Sequence, residues 1–480
     1  MLEVPHRGAA DGIRQSLGLL LPDLPAVALR TVSKRSRRPW GLRKLPRASV
    51  AALLWLLTPA LASAQLSPGE RLPVRSLTLG NGMRLVILPR SGAPTVSFVV
   101  QYGVGGVNER LGTTGIAHLL EHMLFKGTDK RSAYDIALSM ESVGGYLNAF
   151  TSSEYTCYFA RCVNTQIERA LDVLSDMVLN PSFPEEEVEK EKKVVIEEMK
   201  MYRDSPDDYL FEEYNTRMFQ GHELGRPVLG LEETVSSFTR EDLYEYMEER
   251  YRAGNLLISV AGNVEHEEVV KLVSEYLGDL PALDVDYEDQ PLNEFDTSKL
   301  ELTKPIEQTH YILGRRGLNF DHDDKYLLLL ANTILGGGMS SRLHQNVREK
   351  YGYCYSIQTF NQSYTDSGMW GVYVGTDKDY VEHVHELVVA ELKSISEELV
   401  PEKELEEAKS QLKGKLLLSQ ENTSNRMMRL AKSELYFDRF VTLDELVENI
   451  DTVTSEQILE FSKDFFDQKY FMEAVLTPEG

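Results

Sequence analysis

Apolar residues fall into two recurring patterns along this chain. Leu77 to Leu88 and Thr95 to Tyr102 alternate or run apolar with β-branched residues, the pattern of strands. Asn81-Gly82 between Leu79 and Met83 predicts a hairpin turn inside the first of them. Gly115 to Phe125 carries helical spacing, with Thr113 or Thr114 as its N-cap and Gly127 just past its end. Glu154 to Val163 returns to strand, and Glu185 to Tyr202 reads as a long charged helix. Most charges on that helix fit a solvated face with Glu–Lys pairs four apart. Mixed elements of this kind predict an α+β fold, a sheet backed by helices.

The same plan is written twice. Phe238–Tyr246 leads into an apolar strand at Leu256, and Val453–Phe461 leads into another at Tyr470, with Thr239 and Thr454 in matching places. Pro184–Glu191 resembles Pro401–Ala408 at nearly the same offset. Two matches at one spacing argue for a duplicated domain, since solenoid repeats are far shorter. The expected organisation is a leader over 1–64, a first half over 65–285 and a homologous second half over 286–480. The joint falls near 281–305, where Pro281 to Pro291 is acidic and bounded by proline.

Composition narrows the class. The 480 residues are 42% hydrophobic and 26% charged, which is globular. A net charge of −24 disfavours nucleic acid as a ligand of the whole chain. Residues 1–64 run against that balance, with ten basic and three acidic side chains. There a basic stretch from Lys34 to Arg47 precedes the apolar run Val50–Leu57, and Ala62-Ser63-Ala64 follows. Basic region, short apolar core and small-x-small site form the pattern of a secretory signal cleaved after Ala64. Export to a bacterial periplasm or beyond is the expectation, with no membrane span in the mature chain. An Arg-rich mitochondrial leader, and so the matrix, is the competing reading, and an uncleaved anchor a further one. The three cysteines do not make a disulfide scaffold. Cys157 and Cys162, five apart on one strand, should point to opposite faces.

The chemistry concentrates in His118-Leu119-Leu120-Glu121-His122. Residues four apart on a helix share a face one turn apart, so both imidazoles can approach one metal ion. Glu121 stands beside that face. Two neutral nitrogen ligands with an adjacent carboxylate suit zinc and a base for the water it activates. Catalytic zinc takes three protein ligands, so one more is needed. The charged helix offers Glu191, Glu197 and Glu198; Glu191 and Glu198, two turns apart, lie on the same face, and spacing alone does not choose between them.

The run Gly115–Thr128 resembles the signature of the pitrilysin/insulinase family of inverzincin metallopeptidases, which includes the mitochondrial processing peptidase. The resemblance covers about residues 72–480 and implies one zinc ion per chain held by His118, His122 and Glu198, with Glu121 as catalytic base. It makes Glu191 the supporting acidic residue, assigned to the catalytic set as the group that orients the site. It makes Asn148, Ala149 and Phe150, with Thr151, the edge strand along which substrate backbone is laid. Arg348 and Tyr355 match the family's pair that contacts the substrate or its reacting carbonyl; Cys354 beside the tyrosine departs from the small residue expected there.

Carried into the second half by the repeat offset, His118, Glu121 and His122 land on Ile334, Gly337 and Gly338, and Glu198 on Gly414 or Lys415. That half keeps the frame without the ligands. Gly336-Gly337-Gly338 is followed by no Gly-Lys-Ser/Thr and reads as a helix-ending turn, not a phosphate cradle. The resemblance implies a zinc endopeptidase acting on peptides or unfolded polypeptides in a closed chamber. The partner is a second copy or another chain of the family, one chain's zinc facing the other's Arg348 and Tyr355. A mitochondrial presequence-processing subunit and a non-catalytic structural subunit of the same fold are the alternatives.

Overall fold

The alternating segments at the start of the first half form β1 (Arg75–Thr78), β2 (Arg84–Pro89) and β3 (Thr95–Tyr102). A computed structural model of the chain describes residues 74–282, 292, 293 and 295–479. The leader over 1–64 and most of the acidic joint, with its 285/286 boundary, lie outside the described residues. β1 and β2 pair antiparallel across the Asn81-Gly82 turn, where Gly82 takes φ +91°, a left-handed conformation suited to glycine. Next come α1 (Ile116–Met123), α2 (Ala133–Glu141) and the hairpin of β4 (Tyr146–Thr151) and β5 (Thr156–Val163). Helices α3 (Ile167–Leu179), α4 (Glu185–Asp204), α5 (Pro206–Met218), α6 (Glu232–Ser237) and α7 (Arg240–Arg250) follow. β6 (Leu256–Gly262) and α8 (His266–Leu277) complete the half.

The second half runs β7 (Leu300–Lys304), β8 (Thr309–Arg316), α9 (Lys325–Gly336), β9 (Cys354–Ser363) and β10 (Gly368–Thr376). It continues through α10 (Val381–Glu397), α11 (Glu402–Ser419), α12 (Thr423–Phe437), α13 (Leu443–Asp451) and α14 (Ser455–Phe465) to β11 (Met472–Pro478).

The duplication is visible in the strand order. The first sheet is β1-β2-β6-β3-β5-β4, with β2 and β6 parallel. The second is β7-β11-β8-β10-β9, with β7 and β11 parallel. Without β1 the two orders coincide element for element, and β4 and β9 take matching edges. Local signals repeat as well. Thr239 and Thr454 open α7 and α14 through capping boxes with Asp242 and Gln457. Pro184 and Pro401 occupy the N-caps of α4 and α11.

One face of the first sheet, with Phe98, Tyr158 and Ile258, packs into a core with Leu119, Leu174 and Val195 from the helices. The other face carries Ser97, Gln101 and Ser259, polar side chains with no solvent exposure. Helix α12 of the second half covers them. The Ser97 and Thr423 hydroxyl oxygens are 2.9 Å apart, and the Ser259 hydroxyl donates to the Met427 carbonyl at 2.8 Å. The covering is reciprocal, because α5 lays Leu210, Tyr214 and Met218 against Ile312, Tyr373 and Met472 of the second sheet. α5 and α12 hold equivalent places in the repeat, so each sheet is finished by the other half's helix. The described chain from Val74 onward accordingly falls in one compact unit.

Cys162 belongs to the main core, whereas Cys157 donates its thiol proton to Gln101 on the opposite face at 3.3 Å; both are free. The Glu–Lys pairs of α4 close three residues apart, Glu187–Lys190, Glu189–Lys192 and Glu197–Lys200, not four apart as the spacing suggested. Among the described residues no helix is long and apolar enough to cross a membrane.

Met427, fully buried where α12 meets the first sheet, is the point at which this exchange is most exposed to mutation. Met427→Ala should destabilise the chain by about 2–5 kcal/mol. Urea unfolding should show one cooperative transition; separate transitions for the two sheets would contradict interdependence of the halves.

Candidate metal centre

Helix α1 begins where a side chain could not fit. Gly115 is its N-cap, at φ +96°, and a Cβ there would stand 2.6 Å from the Gly230 Cα. This corrects the expected cap at Thr113 or Thr114. The donors that a threonine hydroxyl would have taken go to a carboxylate instead: Glu109 accepts from the N–H groups of Gly115 and Ala117, each at 2.9 Å. A carboxylate at a helix N-terminus also meets the positive end of the helix dipole. Burial pushes the Glu109 carboxyl up to about 8, against the pull of those two N–H groups and of Arg226.

From that anchor, α1 sinks Leu119, Leu120 and Met123 into the core and turns His118 and His122 toward α4 and Glu121 toward β4. Helix α4 lines up Glu191 and Glu198, seven residues and so two turns apart on one face. The Nε2 atoms of His118 and His122 lie 3.8 and 3.6 Å from Glu198 Oε2. Their rings are 4.6 Å apart and inclined by 66°. Among the described residues these three form the one cluster able to hold a metal ion, their ligand atoms all within 4.8 Å of one another. Tetrahedral zinc with bonds of about 2.0–2.1 Å separates its ligand atoms by roughly 3.3–3.4 Å. The observed spacing needs only a small closure to reach that.

The two imidazoles differ in protonation. Burial, then the neighbouring His122, drives the His118 pKa well below the usual histidine range, so its ring is neutral. Burial also presses on His122, but the Glu191 hydrogen bond and the charges of Glu121 and Glu198 outweigh it, and the net shift is upward. Glu191 Oε2 lies 3.1 Å from His122 Nδ1, and Glu191 Oε1 is 2.6 Å from Lys126 Nζ. Burial raises the Glu191 carboxyl, yet hydrogen bonds from His122 and Lys126 overcome this and hold it below the ordinary range. A carboxylate on Nδ1 fixes the tautomer that frees Nε2 for a metal. Among the described residues His118 has no such support: its Nδ1 is buried without a hydrogen-bond partner.

Glu121 is 7% exposed and receives the Thr151 hydroxyl on Oε2 at 2.7 Å. Burial lifts its carboxyl to about 7, with His122 and Thr151 opposing and Glu198 adding to the rise. Thr151 ends β4, so the edge-strand residues Asn148, Ala149 and Phe150 run directly up to the acid–base group. Thr151 and Lys126 both sit inside runs the sequence brought forward, but their contacts with Glu121 and Glu191 were not foreseen. The signal available for Lys126 was its position four residues after His122. Glu197, the third candidate on the helix, is exposed and paired with Lys200.

Arg348 and Tyr355 are brought to each other and not to the cluster. Arg348 lies on a π-helical turn, His344–Glu349, with its guanidinium 5.5 Å from the Tyr355 ring centre and 3.2 Å from His344 Nε2. Tyr355 is 75% exposed. The equivalents of the zinc helix in the second half, Ile334 at the end of α9 and Gly337 and Gly338 beyond it, form no ligand set.

Residues 85–232 match the family model described as insulinase, peptidase family M16, and residues 237–412 match the one described as the M16 inactive domain. An uncharacterized zinc protease of Bacillus subtilis, YmxG, is 40% identical over 408 residues, which is 85% of this chain and 99% of that one. An uncharacterized zinc protease of Streptomyces coelicolor is 36% identical, covering 82% of this chain and 88% of its own. The crystal structure of a protease from Helicobacter pylori superposes with a TM-score of 0.79 at 23% identity, over 85% of this chain and all of that one, and so shares the fold.

If Glu191 and Lys126 orient the ligands, Glu191→Gln should weaken zinc affinity about 10- to 100-fold, and Lys126→Met should weaken it by less. Competition against a chromophoric chelator measures both; unchanged affinity in Glu191→Gln would remove its supporting role.

Proposed function

This chain belongs to the insulinase family of zinc peptidases, family M16, and on that premise we propose that it is a zinc-dependent endopeptidase of peptides and unfolded polypeptides. The observation that carries the proposal is the convergence of His118, His122 and Glu198 beside a buried Glu121. His118 and His122 would hold a zinc ion through Nε2, with Glu198 completing the set. Zinc held there would supply Lewis acidity and lower the pKa of water to about 7.

The remaining work falls to the chain's own side chains. Glu121 takes the proton of the attacking water and delivers it to the leaving amine nitrogen. Its burial suits this, because desolvation disfavours the charged form and makes the carboxylate a stronger base. Thr151 fixes one oxygen of that carboxylate and ties its position to β4. Substrate adds to the open edge of β4 as one more strand, through main-chain hydrogen bonds at Asn148–Phe150 that are indifferent to sequence. A folded protein has no free strand to offer, so the substrate is short or unfolded. Glu191 is a positioning residue, since it touches His122 and Lys126.

Arg348 and Tyr355 act, in this reading, on the site of a second chain. The exposure of Tyr355 and the pairing of both residues within their own half support that arrangement. They donate hydrogen bonds to the oxyanion or an adjacent carbonyl of the bound peptide.

Glu121→Gln should retain stoichiometric zinc and lose peptide hydrolysis by at least about 10²-fold. Metal analysis beside a chelator-sensitive peptide assay tests this, and full turnover at full zinc content would refute the role. Mixing inactive His118→Ala chains with inactive Tyr355→Phe chains should restore about a quarter of wild-type activity if two copies share each site. No restoration after subunit exchange would place each site within one chain.

A further inference from the structure

A cavity of about 880 Å³ lies beyond the β4–β5 turn, between Ser152–Tyr155 on one side and α9, β9, α12 and α13 of the second half on the other. The metal-site residues do not line it. It joins their surroundings at Ser152, which follows Thr151. A strand laid along β4 advances about 3.3 Å per residue and reaches this wall within a few residues.

The charge of the cavity runs against that of the chain. Five cationic side chains line it and three acidic ones, in a protein of net charge −24. Several of these are already engaged. Arg439 is bidentate on Glu445, and Lys325 lies 3.5 Å from Asp321. Glu154 accepts from the Thr365 N–H and the Tyr436 hydroxyl, each at 2.8 Å. Arg429 and Lys432, one turn apart on α12, are different: among the described residues neither forms an ion pair. Arg429 donates to the Val441 carbonyl. Among the described residues Lys432 makes no hydrogen bond; its ammonium lies 5.3 Å from the Tyr155 ring centre and feels the Glu154 charge from beyond ion-pair distance. Burial holds the Lys432 ammonium down to about 8 and the Arg429 guanidinium down to about 10.

Unpaired cations in a partly dehydrated wall call for an anion. The cavity begins at Ser152, directly after the end of β4 along which the substrate strand is laid, so the anion is a carboxylate carried by the peptide. We propose that this cavity is a specificity pocket that takes a carboxylate of the peptide substrate onto Lys432 and Arg429. The carboxylate is the C-terminal group or an Asp or Glu side chain. This assignment rests on the endopeptidase reading above.

Zinc-loaded Glu121→Gln protein, which should bind without turning over, allows the test. Anisotropy of labelled peptides is read on two matched pairs: a free C-terminal acid against its amide, and a single Glu against Gln in an amidated peptide. In at least one pair the carboxylate member should bind about tenfold tighter or better. The pair that discriminates identifies the source. Adding Lys432→Met should reduce the ratio to within about twofold of unity, and Lys432→Arg should restore it. Because α12 also covers the first sheet, the Tm of each variant is measured, and Arg429→Gln replaces Lys432→Met if the latter does not fold. Equal binding within both pairs, a preference that survives both substitutions, or no peptide binding at all would overturn the proposal. Absence of any cleavage by zinc-loaded wild-type protein would defeat the endopeptidase reading separately, since the binding ratios do not depend on turnover.

Discussion

Everything at the candidate centre rests on the packing of α1 against α4. Two histidines on adjacent turns of one helix are a local matter, but Glu198 arrives from another helix and must land under 4 Å from both rings. The contact is held by apolar side chains from both helices in one core, Leu119, Leu120 and Met123 with Val188, Val195 and Met199. The start of α1 is pinned by the Glu109 carboxylate and by the close approach of Gly115 to Gly230. One turn of slip along α4 is about 5.4 Å, which would take Glu198 out of reach. Glu191, two turns earlier, meets His122 from behind, so two separate contacts fix the register of one helix.

The electrostatics point the same way. Glu121, Glu191 and Glu198 crowd around two imidazoles in a largely buried space, and Lys126 balances one of the three carboxylates. Glu121 and Glu198 repel each other across the centre. A divalent cation offsets that repulsion and uses the lone pairs already turned inward, so the donor set is stabilised by the ion it is shaped to hold.

Much of this was legible in the sequence, for identifiable reasons. Strand periodicity gave β3 at its observed ends, and two segments matched at one offset gave the repeat, because both signals are local. The exchange of α5 and α12 was not legible. Ser97, Gln101 and Ser259 look like the wet face of a half-exposed strand, and only the distant helix that covers them makes them interior. The cap of α1 escaped because its acceptor is a carboxylate outside the usual capping position. At the site, Glu191 and Glu198 could not be separated by spacing, since both do face α1. What distinguishes them is which imidazole nitrogen each one meets, and that is a property of helix packing. The contacts of Thr151 and Lys126 are likewise tertiary.

The reciprocal covering of the sheets bears on how such a chain arose. A protein made of a single repeat would have carried a sheet bare on one side and a helix with no sheet of its own to cover. Two identical copies trading that helix would have solved both problems at once, as a domain-swapped pair. In one continuous chain that trade is intramolecular, and among the described residues only the first repeat carries the ligand set.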